Sequence, residues 1–338
     1  MFMCTHANQG TGYARSAAKM VNYLVNSHEV VYYAFQNYKG QEIKDRFIDP
    51  RVRFVDAIEL DPYAPKGFGD AGIVPTFQKE KPDILFIYND ISVCESILKI
   101  LGNISCKLVL FLDLVYPWED VNRFEYLRSR VDLCYVLAKS WKDHMVNDLG
   151  WDSEKIIPFH LGVDFENLKF FEIKFAKEKL NFNENDFIVL NLNRNSYRKQ
   201  WCTTINAWFK FWVDNDMNPR IKLFIGCLLS TDDGYDIREL IKVECMKYKI
   251  DLDVVVTNNI FINPRPLVAT DEYINLLYAA CDVGINTCCG EGYGLISVEH
   301  ALHGKPQVVS GVPAVKEVIG PVSYVVEPVI WVTMSKFE

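Results

Sequence analysis

Two glutamates with seven residues between them, Glu291 and Glu299, stand in the stretch NTCCGEGYGLISVEHALHGKP, residues 286–306. Glu291 precedes Gly292-Tyr293-Gly294, and Glu299 lies inside an amphipathic run from Leu295 to His303. An apolar run, Cys281 to Ile285, comes just before and reads as a buried strand. Strand, glycine loop and helix together predict an anion site. The N–H groups of a helix's first turn have no intrahelical partner, and the positive end of its dipole faces the loop. Gly292, Tyr293, Gly294 and Leu295 would supply that pole. A carboxylate accepts paired hydroxyl hydrogen bonds, so Glu299 suits vicinal ribose hydroxyls. The ligand this implies carries both a diphosphate and sugar hydroxyls. Glutamates near a helix start are also ordinary dipole partners or surface residues, and the residues alone leave both readings open.

A second cluster lies upstream. Arg194, Arg198 and Lys199 follow the strand that opens the second half of the chain and precede a helix. Open α/β sheets bind ligands at that position. Arginine offers phosphate a fork of donors, and lysine a compact point charge. A diphosphate clamp is the functional reading and a solvated loop the plain one. In the first half, Gly10-Thr11-Gly12 resembles the opening of G-x-G-x-x-G, but position 15 is Arg, so a dinucleotide site is not expected. The loop is either a tight turn or a backbone that approaches a phosphate or sugar. Asp113 and His160 end apolar strands. A capping Asp and a buried His are their ordinary roles; orienting a sugar or acceptor hydroxyl is the alternative.

Metal chemistry finds little support. Asp251-x-Asp253 and Asp214-x-Asp216 mimic the paired acids of metal-dependent sugar transferases, but the first precedes its strand and the second ends a helix. Glu299, His300 and His303 lack a third His or Cys ligand. No G-x-S-x-G occurs to anchor a serine hydrolase.

The elements that position these residues alternate. Strands are predicted at 1–5, 30–35, 52–57, 83–88, 107–112, 131–137 and 156–160, with helices at 13–26, 74–81, 93–101, 118–129 and 139–149. A Pro/Gly/Asp-rich loop spans 61–72. Several strands are continuous apolar runs, as parallel strands buried on both faces require. Residues 1–165 are therefore expected to form one doubly wound α/β domain. The Lys/Glu-rich span 166–184 reads as a linker, and alternation restarts over 185–338. Strands are expected there at 188–192, 221–225, 260–262 and 306–309, with helices at 201–213, 235–248 and 271–280. Two such Rossmann-like domains would face each other across a ligand cleft. After Val326 come 12 residues, where a second doubly wound domain would place one or two more helices.

At 338 residues two domains are the natural division. The net charge of −8 gives no diffuse attraction to nucleic acid, so no nucleic-acid partner is expected. The ten cysteines form no C-x-x-C and sit mostly in apolar runs, which reads as buried thiols in a reducing compartment. No signal peptide is visible, and the longest apolar run, Leu108 to Leu112, is far below the roughly 20 residues of a membrane span. A soluble, cytoplasmic protein is expected, with Phe68 and Trp118 as candidate peripheral membrane contacts.

Taken as a set, these motifs resemble the retaining GT-B glycosyltransferases of family 4. The likeness rests on Glu291-Gly292-Tyr293-Gly294 with Glu299, Gly304 and Pro306; on Arg194 and Lys199 after the first strand of the second domain; on Pro158 to Asp164; and on Gly10-Thr11-Gly12. They occur in the family's order over most of the chain, and an algal-virus-encoded member is the expectation within it. The resemblance implies a metal-free hexosyltransferase using a nucleotide diphosphate sugar, with GDP-mannose favoured over a UDP-sugar such as UDP-glucose. Arg194, Lys199 and the helix N-terminus would neutralise the diphosphate leaving group. Glu299 would hold the ribose and Glu291 the donor sugar hydroxyls. The acceptor, a glycan, glycoprotein or lipid, would approach near Gly12, Asp113 and His160. Base selection would fall to the loops at 226–232 and 263–267. Two departures are visible: Leu112 stands where many members carry His before the acid, and His160-Leu161 replaces the usual Asn. The competing readings are a GT-B sugar-nucleotide epimerase, a phosphorylase with a pyridoxal lysine, and a non-catalytic nucleotide-sugar-binding protein.

Overall fold

The computed structural model describes residues 1–38, 46–63, 67–117, 120–163, 168–263 and 269–329. Trp118, Asp164 and 264–267 lie outside them. The chain divides into two units, Met1–Leu161 with Leu267–Ala269, and Gly162–Pro266 with Thr270–Glu338.

The first unit holds strands β1 (Phe2–Thr5), β2 (Val31–Phe35), β3 (Arg53–Asp56), β4 (Ile84–Asn89), β5 (Lys107–Leu112), β6 (Leu133–Val136) and β7 (Ile156–Pro158). Their order is β3-β2-β1-β4-β5-β6-β7, every pair parallel. Strands covered on both faces must be apolar throughout. Accordingly Met3, Cys4, Tyr32, Tyr33, Leu110 and Leu112 are all fully buried. Helix Gly12–Leu24 starts where Thr11 Oγ1 accepts from Ala14 N at 3.2 Å, and it presents Ala14, Ala17, Ala18 and Val21 to the core.

The second unit holds β8 (Phe187–Asn191), β9 (Ile221–Ile225), β10 (Ile260–Ile262), β11 (Val283–Asn286), β12 (Gln307–Ser310) and β13 (Tyr324–Val326). The order is β10-β9-β8-β11-β12-β13, again all parallel. Strand order reverses between β8 and β11. Their carboxyl ends are thus the topological switch point, where an open α/β sheet leaves a crevice. Helix Trp201–Asp214 packs beside them, burying Trp201, Thr204, Ile205, Trp208, Phe209 and Trp212 at helical spacing. Trp208 and Trp212 stack at 5.4 Å.

Several expectations need correction. Helix Ile173–Lys179 occupies part of the 166–184 span expected as a linker. Its Ala176 is buried against Ala279 and Ala280, and Lys177 Nζ donates to Asp186 O at 2.6 Å and pairs with Asp282 at 3.3 Å. One buried alanine and a buried, compensated lysine leave almost no apolar period to read. Asp251 precedes a helix rather than a strand. Its Oδ1 accepts from Asp253 N and Val254 N at 2.8 and 3.3 Å, capping helix Leu252–Asn258. The cap outweighs the strand preference of Val254-Val255-Val256. The helix expected at 74–81 begins earlier, spanning Asp70–Glu80. Strand β7 ends at Pro158, so His160 lies two residues beyond it, exposed. Phe68 packs on Phe35 with ring centroids 4.9 Å apart, rather than standing free in a loop. The ten cysteines are free, and seven are buried. Among the described residues no helix is long and apolar enough to cross a membrane.

Gly284 is among the glycines required by space. A Cβ on Gly284 would stand 2.1 Å from Gln307 Oε1 and 2.7 Å from His300 Nδ1. Both neighbours are buried, His300 completely. Gly284→Ala is expected to destabilise by about 2 kcal/mol through overpacking. A lowered urea midpoint with an unchanged slope would show it.

Candidate functional site

A chain of buried polar side chains ties together the loops after β8 and β11. Asn193 N and Nδ2 both donate to Asn191 Oδ1, at 3.0 and 2.9 Å. The same Nδ2 reaches Asn286 Oδ1 at 3.2 Å, across the switch point. Asn191 Nδ2 donates to Thr204 Oγ1 at 2.9 Å, and Thr204 meets Thr287 at 2.7 Å. Thr287 Oγ1 then donates to Lys199 O at 3.0 Å. Between the loops themselves, Cys289 N donates to Arg198 O at 2.9 Å. Buried polar groups fully engaged in this way specify one geometry.

That geometry brings Lys199, Arg198 and Glu291 together. Lys199 Nζ is hydrogen-bonded and ion-paired to Glu291 Oε2. Arg198 Nη1 lies 3.3 Å from Glu291 Oε1 and donates to Gly290 O at 2.6 Å. The Lys199 and Glu291 side chains are only 9% and 12% exposed. Burial pushes the Glu291 carboxyl's pKa up, but the Lys199 and Arg198 charges and hydrogen bonds outweigh it and hold it below the ordinary value. Gly294 caps helix Leu295–Leu302 with φ +89°, and a Cβ there would stand 3.7 Å from Glu291 Cγ. The Glu291 side chain thus lies beside the helix's positive end.

The remaining expected residues fall elsewhere. Arg194 is exposed and pairs with Asp233 at 2.5 Å. Glu299 is buried in the helix, where its Oε2 accepts from Tyr278 OH at 2.9 Å. Tyr293 is buried in the loop. In the first unit, Gly12 is the first residue of its helix, and Asp113 follows β5 with its N–H on Asn89 O at 3.2 Å. The sequence reading missed Asp233, Tyr278 and the asparagine network. It also grouped Arg198 with the other cations without singling it out. The alternation Asn191, Asn193, Asn195 at a strand's end was the available signal. Among the described residues no group of three His, Cys, Asp or Glu side chains is placed to hold a metal ion.

Beneath this helix, Gln307 Nε2 donates to His300 Nδ1 at 3.0 Å. Burial lowers the His300 pKa to about 3, with Lys305 and His303 adding to the fall and backbone hydrogen bonds opposing it. His303 is lowered to about 4 by burial and Lys305. Each unfolded-state imidazole takes its proton near pH 6.5, which the folded one refuses until its lowered pKa. Stability is therefore full above pH 6.5 and falls as pH drops towards 3 and 4. For His300 the loss is on the order of 4 kcal/mol. His300→Asn is expected to flatten the pH dependence of the urea midpoint between pH 6.5 and 4, against a wild-type slope in that window.

No protein-family model matches the chain, and no curated protein matches it. Solved structures do. HepE of Anabaena, crystallised with UDP and glucose, matches with a TM-score of 0.63 and 17% identity over 94% of this chain and 81% of that one. Sucrose-phosphate synthase of Thermosynechococcus elongatus gives 0.72 and 14% over 97% and 86%. WaaG, a glycosyltransferase involved in lipopolysaccharide biosynthesis, gives 0.68 and 13% over 98% and 86%. The chain has the GT-B glycosyltransferase fold.

Proposed function

We propose that this chain is a retaining, metal-independent glycosyltransferase of family 4, transferring a hexose from a nucleotide diphosphate sugar to a hydroxyl acceptor. The observation that carries this reading is the placement of Lys199 and Arg198 at the switch point of the second sheet, beside a helix N-terminus. Two cations and a positive dipole end fit a diphosphate leaving group, whose charge grows as the glycosidic bond breaks. Arg194 adds a third cation on the same loop, exposed and more readily screened. Glu299 takes the ribose hydroxyls, and Glu291 the sugar hydroxyls near the reacting carbon. Gly12, Asp113 and His160 serve the acceptor, a glycan, glycoprotein or lipid.

A UDP-sugar is now the favoured donor. HepE has been crystallised with UDP-glucose, and an Escherichia coli neighbour with UDP-2-fluoro glucose. The sequence-based preference for GDP-mannose has no comparable support. Membership of family 4 rests on the motif order, and a viral source on the resemblance alone.

A thermal-shift panel of UDP-, GDP-, ADP- and dTDP-sugars tests the reading, followed by NMR of the anomeric proton during turnover. Stabilisation by one donor and a product of retained configuration are expected. Isomerised donor without acceptor would move the assignment to an epimerase. If no nucleotide sugar raises the melting temperature, the proposal fails.

A further inference from the structure

We propose that Glu291 is a built-in stand-in for the donor's diphosphate. It occupies Lys199 and Arg198 until a diphosphate displaces it, and the displaced carboxylate is the one that engages the donor sugar. This rests on the donor reading above and adds the competition at its centre.

Three observations carry it. Both carboxylate oxygens are committed, Oε2 to Lys199 and Oε1 to Arg198, and these cations are the groups a diphosphate would need. Carboxylate and phosphate present similar acceptors to arginine and lysine, so one replaces the other without rebuilding the site. Next, Lys199 is only 9% exposed. A cation buried that far is costly without a counter-charge, so something anionic must sit on it before any donor arrives. Finally, Lys199 and Arg198 share Glu291 beside a helix N-terminus, which adds roughly half a positive charge and favours an anion carrying more charge than one carboxylate. Glu291 thus keeps the pocket formed and weakens its grip on anions, but does not close it.

Freeing Glu291 also orders recognition. While it holds Lys199 it cannot turn fully to a sugar. Diphosphate arrival releases it, so a sugar lacking the diphosphate finds no free carboxylate. A ligand shifts an equilibrium only by its differential affinity for the two states, and here the difference is the exchange of one anion for another.

Inorganic diphosphate is the discriminating probe, because it has no sugar for Glu291 to touch. Calorimetric titration of the full chain compares wild type, Glu291→Gln and Glu291→Asp, with UDP and GDP titrated in parallel. Glu291→Gln is expected to bind diphosphate about tenfold tighter than wild type, since the internal competitor is gone. It should also melt lower without ligand and gain more from diphosphate, because Lys199 then lacks its partner. Glu291→Asp, with its carboxylate drawn back by one methylene, should fall between. Diphosphate bound no tighter by Glu291→Gln, while wild type binds UDP, overturns this inference and leaves the transferase reading standing. Absence of diphosphate, UDP and GDP binding by every form overturns both. Should Glu291→Gln not fold, Glu291→Asp decides alone: tighter diphosphate binding supports the exchange, and equal or weaker binding sinks it.

Discussion

Lys199→Ala is expected to lower the rate of sugar transfer by about a thousandfold, the scale on which removing one preorganised charge contact to a transition state is felt. The side chain is buried, its backbone carbonyl is pinned by Thr287, and its ammonium is held on Glu291. It therefore costs little reorganisation at the moment charge develops. The substitution also strands Glu291 with Arg198 as its remaining ion-pair partner, so part of the loss will appear in stability. Breaking a buried pair by removing one member costs about 3 kcal/mol or more. Activity and melting temperature must be read together. A folded variant that has lost kcat, with a smaller change in KM, matches a contact that strengthens as the bond breaks. Arg194→Ala is the internal control. Its guanidinium is exposed and already paired with Asp233, so a loss of about tenfold or less is expected. If Lys199→Ala stays within about threefold of wild type under single-turnover conditions, the charge-stabilisation role is wrong.

The contrast between these two cations shows where sequence reasoning stopped. Apolar runs made the strands legible: Lys107–Leu112, Ile221–Ile225 and Ile260–Ile262 lie where composition and period put them, as does helix Asp271–Ala280. Parallel pairing followed from runs that leave no polar face. The aim of each loop cation did not follow. Arg194, Arg198 and Lys199 are equivalent by type, but a short 3-10 turn at Tyr197–Lys199 ends on Gln200 with φ +51°. That turn sends Lys199 inward, while Arg194 pairs at the surface. A glutamine in the left-handed region is forced by its surroundings and leaves no mark in composition. Helices Ile173–Lys179 and Leu252–Asn258 were missed for a related reason. A buried ion pair and a side-chain cap define them, and neither produces a hydrophobic period.

The asparagine network makes the second strong prediction, because it tests positioning without touching a charge. Asn286 Oδ1 accepts from Asn193 Nδ2 and from Cys288 N, and its Nδ2 faces Ser297 Oγ at 3.5 Å. One side chain thus joins the cation loop, the Glu291 loop and the helix that carries Glu299. Asn286→Ala removes all three contacts and leaves the buried Asn193 amide short of an acceptor. A stability loss of about 2 kcal/mol is expected from the unsatisfied donor. The loss in transfer should be larger in proportion, about a hundredfold, because a displacement near 1 Å between diphosphate and sugar contacts is enough to forfeit it. A purely structural role predicts something different: lower melting temperature, but normal kcat in whatever fraction remains folded. Raising ligand concentration separates the two. A stability defect is rescued by saturating UDP-sugar through mass action, whereas misplacement of Lys199 against Glu291 is not. Asn286→Asp keeps the Oδ1 acceptor for Asn193 and should recover part of the rate, although it adds a buried charge. Full kcat for Asn286→Ala at saturating donor would remove the network from the account of transfer and leave it a role in folding alone.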